Sequence, residues 1–226
     1  MKSYKLIHQL LNLVADFESK NTDRELCLSE FSGFLINHLS QANSESAADV
    51  RFGDKYDHSQ QSAYQIDNTI GRLFIYMSRY AKSYIKKTLD GTPLQSPEDF
   101  TCLAILLTHD SLSKSELISR NIQEKTSGTE VIRRLIQAGL VSQLDDIHDK
   151  RSKSISITDQ GKQLLYRVFE DMNNVGKMVT GNLSLTEKLN LQYLLQKLDT
   201  FHYKLHENKV IQGKDDIRNH SKMLLY

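Results

Sequence analysis

The segment SKSELISRNIQEKTSGTEVIRRLIQAGLVSQLDDIHDKRSKSISITDQG, Ser113 to Gly161, breaks into helix, turn, helix, strand, basic loop, strand. Ser113 followed three residues later by Glu116 is a capping box, in which hydroxyl and carboxylate take up backbone N–H groups left over at a helix start. The helix it opens runs to about Arg120 and buries Leu117 and Ile118. After a link from Asn121 to Thr126, Ser127 with Glu130 reads as a second box, opening a helix that ends at Gly139. Gly139 suits the left-handed position that follows a helix, and Leu140 can pack back on the last turn. Two short helices joined this way form a helix-turn-helix.

At about 100° per residue, Val131, Ile132, Leu135 and Ile136 share one side of the second helix. Ser127, Glu130, Arg133, Arg134 and Gln137 are left on the other. Beyond Gly139 the pattern turns extended: Val141 and Leu144 lie in one run, Ile155 and Ile157 in the next. Between them Asp149, Lys150, Arg151 and Lys153 form a cationic loop, so the two strands and their loop make a wing.

The run DKRSKSISITDQG from Asp149 resembles the wing of the MarR family (multiple antibiotic resistance regulators): Asp, a basic residue, Arg, alternating apolar positions, then Thr and Gly. The resemblance extends over roughly Ile66 to Leu205. It implies a homodimeric transcription regulator whose second helix enters the major groove of a pseudo-palindromic operator in double-stranded DNA, with the wing arginine in the neighbouring minor groove. It also implies a repressor released by a small, phenol-like aromatic ligand. One departure stands out. Aligned on Gly139, Glu130 falls where many relatives carry a polar or basic base-contacting residue, and a carboxylate there repels phosphates although it can accept from cytosine N4.

The rest of the chain frames this module. The expected class is mostly α with a small two- to three-stranded β wing, a winged helix-turn-helix joined to a helical dimerisation domain. Residues 1–45 form a helical extension, with Leu6, Ile7, Leu10, Leu11, Val14 and Phe17 at helical spacing and a Thr22–Glu25 box opening the second helix. Residues 46–61 are a polar linker. Residues 62–92 and 164–206 are the dimerisation region, 93–163 the winged helix-turn-helix, and 207–226 a polar tail. In the first dimerisation segment Ile66, Ile70, Leu73, Met77, Tyr80 and Tyr84 alternate steps of three and four to near Leu89, a seam suited to other helices. Ser96 and Pro97 start the next helix. The helix after Gly161 runs toward Asn174, and Ser184 with Glu187 caps a last long one bearing Leu191, Leu194, Leu195, Leu198, Phe201 and Leu205.

Candidate DNA-contacting residues are Ser113, Ser115, Ser127, Thr129, Arg133, Arg134, Asp149, Lys150, Arg151 and Lys153. Arginine forks suit guanine edges, helix-start N–H groups suit a phosphate, and Arg151 suits a narrow minor groove with Asp149 steadying it. Arg134 has a second reading, an ion pair inside the domain. Tyr76, Tyr80 and Tyr84 are either helix packing or the wall of an effector pocket.

Composition sets limits. The net charge is only +1, and between Ser111 and Gln160 eight Lys or Arg face seven Asp or Glu, so DNA affinity must come from charge placement. That balance keeps alive a winged helix that binds protein instead. No apolar run is long enough for a membrane span and no cleavable leader is visible, pointing to a cytoplasmic protein. No glycine-rich phosphate loop, nucleophile motif or metal spacing stands out, so neither an enzyme nor a cofactor is expected. His202 and His206 lie one turn apart without a third ligand, and Cys27 and Cys102 read as packing residues.

Overall fold

The computed structural model describes residues 2–21, 26–42, 66–145 and 153–224. The chain divides into two units, Met1–Ser62 and Ala63–Tyr226. The first unit holds α1 (Lys2–Ser19) and α2 (Leu28–Ala42), which pack on each other. Phe17 is buried there, its ring 5.4 Å from that of Phe31 and 5.3 Å from that of Phe34. The Thr22–Glu25 box, the 46–61 linker and the wing loop 146–152 lie outside the described residues.

The second unit runs α3 (Ile66–Thr88), α4 (Pro97–Leu107), β1 (Leu112–Ser113), α5 (Lys114–Arg120), α6 (Lys125–Gln137), β2 (Val141–Asp145), β3 (Lys153–Ile157), α7 (Asp159–Thr180), α8 (Leu185–Glu207) and α9 (Lys214–Met223). Its antiparallel sheet has the order β1-β3-β2, so the wing has three strands. β1 is too short to announce itself by alternation; it is set by Leu112, which pairs with the fully buried Ile155. β2 and β3 pair from Val141 with Ile157 to Asp145 with Lys153.

Expected caps appear where side chains can reach backbone. Ser113 and Glu116 form a reciprocal box on α5, as Ser184 and Glu187 do on α8. Ser96 caps α4 with Pro97 at its first position, and Gly139 sits at φ 71° after α6. The core gathers Leu103 and Leu106 of α4, Leu117 of α5, Ile132 and Leu135 of α6, Ile155 of the wing and Leu165 of α7. α3 lies along α7, and Phe100 meets Phe169 edge to face at 5.8 Å, tying α4 to α7.

Three expectations change. The Ser127–Glu130 box does not form: α6 starts three residues earlier, at Lys125 after Glu124 and with no side-chain cap, so Ser127 lies inside its first turn, and Glu130 is held by Arg133. α7 continues beyond Asn174 to Thr180. Gly176 has open space around it and the buried Val175 anchors that turn, so the glycine does not end the helix. The 207–226 segment contains a helix. The Asp216 carboxylate accepts from the backbone N–H of Gln212 and Gly213, both at 2.9 Å, and so starts α9.

Candidate nucleic-acid interface

α5 and α6 meet at a glycine. A Cβ on Gly128 would stand 2.6 Å from Cγ1 of Ile118, so only glycine lets the first turn of α6 come this close to α5. The turn between them is braced from behind: Thr101 Oγ1 donates to Asn121 Oδ1 at 2.6 Å, and Asn121 Nδ2 donates to the Glu98 carbonyl at 3.1 Å. With Val131, Ile132 and Leu135 buried, Ser127, Thr129, Glu130 and Arg133 remain exposed along the outer face of α6.

The structure sorts the candidate residues. Ser113 spends its oxygen on the α5 cap, accepting from the Glu116 N–H at 3.2 Å, and its hydroxyl lies 3.1 Å from that of the exposed Ser115. That capping holds the Glu116 carboxyl below its usual range, the Ser113 hydroxyl being the first cause. Thr129 Oγ1 donates back to the Lys125 carbonyl at 2.7 Å, turning its hydroxyl toward its own helix. Ser127 lies in the uncapped first turn. Lys125 and Thr126 precede it, exposed beside the same unshared N–H groups. These two were missed because the expected start placed them in the link. An uncapped, exposed helix start flanked by a lysine suits a phosphate.

Arg133 is 54% exposed and forks onto Glu130, Nε donating to Oε2 at 2.8 Å and Nη2 to Oε1 at 2.5 Å. The Arg133 hydrogen bond lowers the Glu130 pKa and the Glu130 hydrogen bond raises that of Arg133. Both groups therefore keep their charges, and each neutralises the other on the outer face of α6.

Arg134 turns the opposite way. Of its two readings, the internal ion pair is the one present: Nη2 donates to Asp99 Oδ1 at 2.5 Å, and Ser96 Oγ lies 3.4 Å away. Asp99 is 1% exposed, and its other oxygen accepts from the Gln95 N–H at 2.7 Å. The pair ties α6 to the start of α4. Asp99 escaped sequence reasoning, although its place three residues after the capping Ser96 was the available signal.

At the wing, Lys153 opens β3, exposed, opposite Asp145 in register. Asp149, Lys150 and Arg151 lie outside the described residues. On α3, Tyr80 is exposed and Tyr76 and Tyr84 are half-buried. The guanidinium of Arg79 stands 5.9 Å from the centre of the Tyr76 ring. None of these tyrosines lines either of two cavities found elsewhere, one at the C-terminal helices and one beside Pro97 and Ile122.

Cys102 is buried in the core, and burial, then the nearby Asp99 carboxylate, pushes its thiol up to about 12. A thiol in that state does not present a thiolate at neutral pH. Iodoacetamide at mildly alkaline pH is expected to label the exposed Cys27 of the folded chain and spare Cys102, read by mass spectrometry. Comparable labelling of Cys102 without unfolding would overturn this. Among the described residues no group of three or more His, Cys, Asp or Glu is arranged to hold a metal. No described helix is long and apolar enough to cross a membrane.

Comparisons with known proteins agree with this geometry. Residues 110–176 match the family described as ArnR1-like, winged-helix domain. The HTH-type transcriptional repressor NicR of Pseudomonas putida is 24% identical over 136 residues, covering 60% of this chain and 85% of NicR. A Bordetella bronchiseptica BpsR structure, solved to explain regulation of its DNA binding by 6-hydroxynicotinic acid, superposes with TM-score 0.54 at 20% identity, covering 58% of this chain and 98% of that one. A cysteine-to-serine mutant of Escherichia coli MarR, complexed with operator DNA, superposes with TM-score 0.52 at 23% identity, covering 59% and 98%.

Proposed function

The chain has the winged helix-turn-helix fold of MarR-family regulators, and from that premise we propose that it is a cytoplasmic, homodimeric transcription regulator that binds a specific operator in double-stranded DNA. The observation carrying this reading is the outer face of α6. It is braced by α4 and α5 from behind, carries Arg133, and starts in an uncapped turn with Lys125. Such a helix docks in a major groove with its N-terminal residues toward base edges. The first turn of α6, with Ser127, holds a phosphate, Arg133 reads a base edge, and Arg151 with Lys150 and Lys153 of the wing reaches the adjacent minor groove. Arg134 acts as a positioning residue through Asp99.

Dimerisation is supported by apolar faces that one chain leaves uncovered. On α3 Ile70, Leu73, Phe74 and Met77 are exposed, and on α8 Leu185, Leu189, Leu194 and Leu198 are exposed. Patches of this kind mark association surfaces, and a two-fold pair of α6 helices matches a pseudo-palindromic site. The repressor named among the relatives, and the ligand-controlled DNA binding of BpsR, support repression relieved by a small aromatic effector. Tyr76, Tyr80 and Tyr84 of α3 are its proposed contacts.

The test is binding of the purified protein to DNA from its own upstream region, titrated with salt and competed with random duplex. Binding in dimer units that weakens with salt and resists competitor is expected, as is loss of roughly tenfold in affinity for Arg151→Ala with helix content unchanged. Affinity no better than for random duplex would turn the reading toward a winged helix that binds protein.

A further inference from the structure

The first unit carries one apolar face more than its own packing uses. On α1 the buried Phe17 faces α2, where its ring meets those of Phe31 and Phe34. At about 100° per residue a second stripe runs beside it, made of Tyr4, Ile7, Leu10, Leu11 and Val14. That stripe is open to solvent, Tyr4 at 71%, Leu11 at 62% and Ile7 at 52%. Among the described residues of the unit Phe17 alone is buried. Two helices of 18 and 15 residues bury too little against each other to be stable by themselves, and such a pair reaches a core by adding further helices.

Charge narrows what can cover the stripe. Residues 1–62 hold six Lys or Arg against nine Asp or Glu, in a chain whose net charge is +1. An acidic unit is repelled by nucleic acid and by anionic lipid. A helix that lies on a membrane has a polar face rich in Lys and Arg, whereas α1 sets Lys2 and Lys5 at its start against Asp16 and Glu18 at its end. Asp16 is engaged by Lys20 at 2.8 Å, and Glu18 stays exposed one turn beyond Val14, at the end of the stripe. A parallel pair of α1 helices would set Glu18 against Glu18. An antiparallel pair sets it against the Tyr4 end, where a hydroxyl can donate, and opposes the two helix dipoles.

Area and tethering point to the same occupant. The five exposed side chains offer roughly 550 Å² on each copy, so a symmetric pair covers roughly 1,100 Å², enough for a specific interface. Residues 43–65 join α2 to α3 and reach at most about 80 Å, so the homodimer proposed above, on which this step rests, holds its two first units at high effective concentration.

We propose that the stripe of α1 is covered by the same stripe of a second copy within one dimer. The two α1 helices pack antiparallel, with Leu10 and Leu11 at the centre and Ile7 opposite Val14 across the two-fold axis, and the two helical pairs close into a four-helix bundle. The dimer thereby gains a second contact, apart from the faces of α3 and α8.

The test uses the full chain with Cys27→Ser, which removes the exposed thiol and leaves only the buried Cys102. Adding Leu11→Cys is expected to give an interchain disulfide in most of the protein on mild oxidation, because position 11 meets its own copy near the axis. Adding Tyr4→Cys instead places the two thiols roughly 20 Å apart in an antiparallel pair and is expected to give almost none. The yield at position 11 should not fall on dilution, since both units belong to one dimer. Both positions are more than half exposed, so circular dichroism should be unchanged by either substitution. No disulfide at position 11, equal yields at positions 4 and 11, or a yield that falls with dilution would each overturn the pairing. So would cosedimentation of the unaltered chain with neutral phosphatidylcholine vesicles, which would give the stripe to lipid. Operator binding is read on the same samples: a dimer that binds operator without the position 11 disulfide loses only this pairing, and a disulfide-linked chain without operator affinity loses only the regulator reading.

Discussion

Asp99→Ala is expected to cost about 3–5 kcal/mol of folding stability, because removing one partner of a buried ion pair leaves the other charge uncompensated. Asp99 is 1% exposed and the Arg134 side chain 23%. Without the carboxylate, the Arg134 guanidinium would remain in a pocket where its Nε is already buried without a hydrogen-bond partner. The Gln95 N–H would also lose its acceptor, now 2.7 Å away. A loss of that size is a large share of the roughly 5–15 kcal/mol that holds a domain folded. Asp99→Asn keeps the shape and one acceptor, and should cost less. The double variant Asp99→Ala with Arg134→Leu should recover much of the loss, since it removes both charges. Urea unfolding of the four proteins checks this. A loss below about 1 kcal/mol for Asp99→Ala would mean the pair contributes no more than a surface bridge. Because the pair fastens α6 to α4, DNA affinity should fall in Asp99→Ala and return with Asp99→Asn.

On the proposed reading, Glu130→Gln is expected to tighten DNA binding by about tenfold at low salt and to steepen the salt dependence by about one counterion, since it releases the Arg133 guanidinium and removes a carboxylate from the face assigned to phosphates. Arg133→Ala should weaken operator binding by about tenfold or more, the worth of a bidentate arginine contact to guanine. Glu130 lies below its usual pKa through the Arg133 hydrogen bond. With the folded-state value depressed, the pair is intact above the ordinary carboxylate range and is lost only as pH falls through the depressed value. Binding across the neutral range should therefore show no titration from Glu130. Weaker operator binding in Glu130→Gln, with random-duplex binding unchanged, would sink the release account and assign Glu130 to a cytosine edge. On the proposed reading, the cation on α6 is held by its own neighbour until a DNA site competes for it.

Much of this was legible in the chain because the governing interactions are local. Ser113 with Glu116 and Ser184 with Glu187 are caps whose partners lie three residues apart, so spacing alone specifies them. The buried stripe of α6 and the left-handed Gly139 follow from periodicity and backbone sterics. The Ser127–Glu130 box failed where two local options competed. Glu130 could reach back to a cap or forward to Arg133, and the forward ion pair with two hydrogen bonds prevailed.

What the amino-acid order determined by itself was therefore the run of helices before α9, the wing strands β2 and β3, and the buried face of the helix-turn-helix, all set by contacts within a turn or a hairpin. Only the tertiary structure decided which arginine of the Arg133–Arg134 pair faces out. That choice depends on Asp99, 35 residues away, arriving beneath α6 when α4 packs against it. The same holds for β1, which exists because β3 is there to pair with it, and for His206, whose Nε2 donates to the carbonyl of Ser119, 87 residues earlier in the chain. Spacing reports what a residue can reach along its own backbone; packing decides which distant group comes within reach.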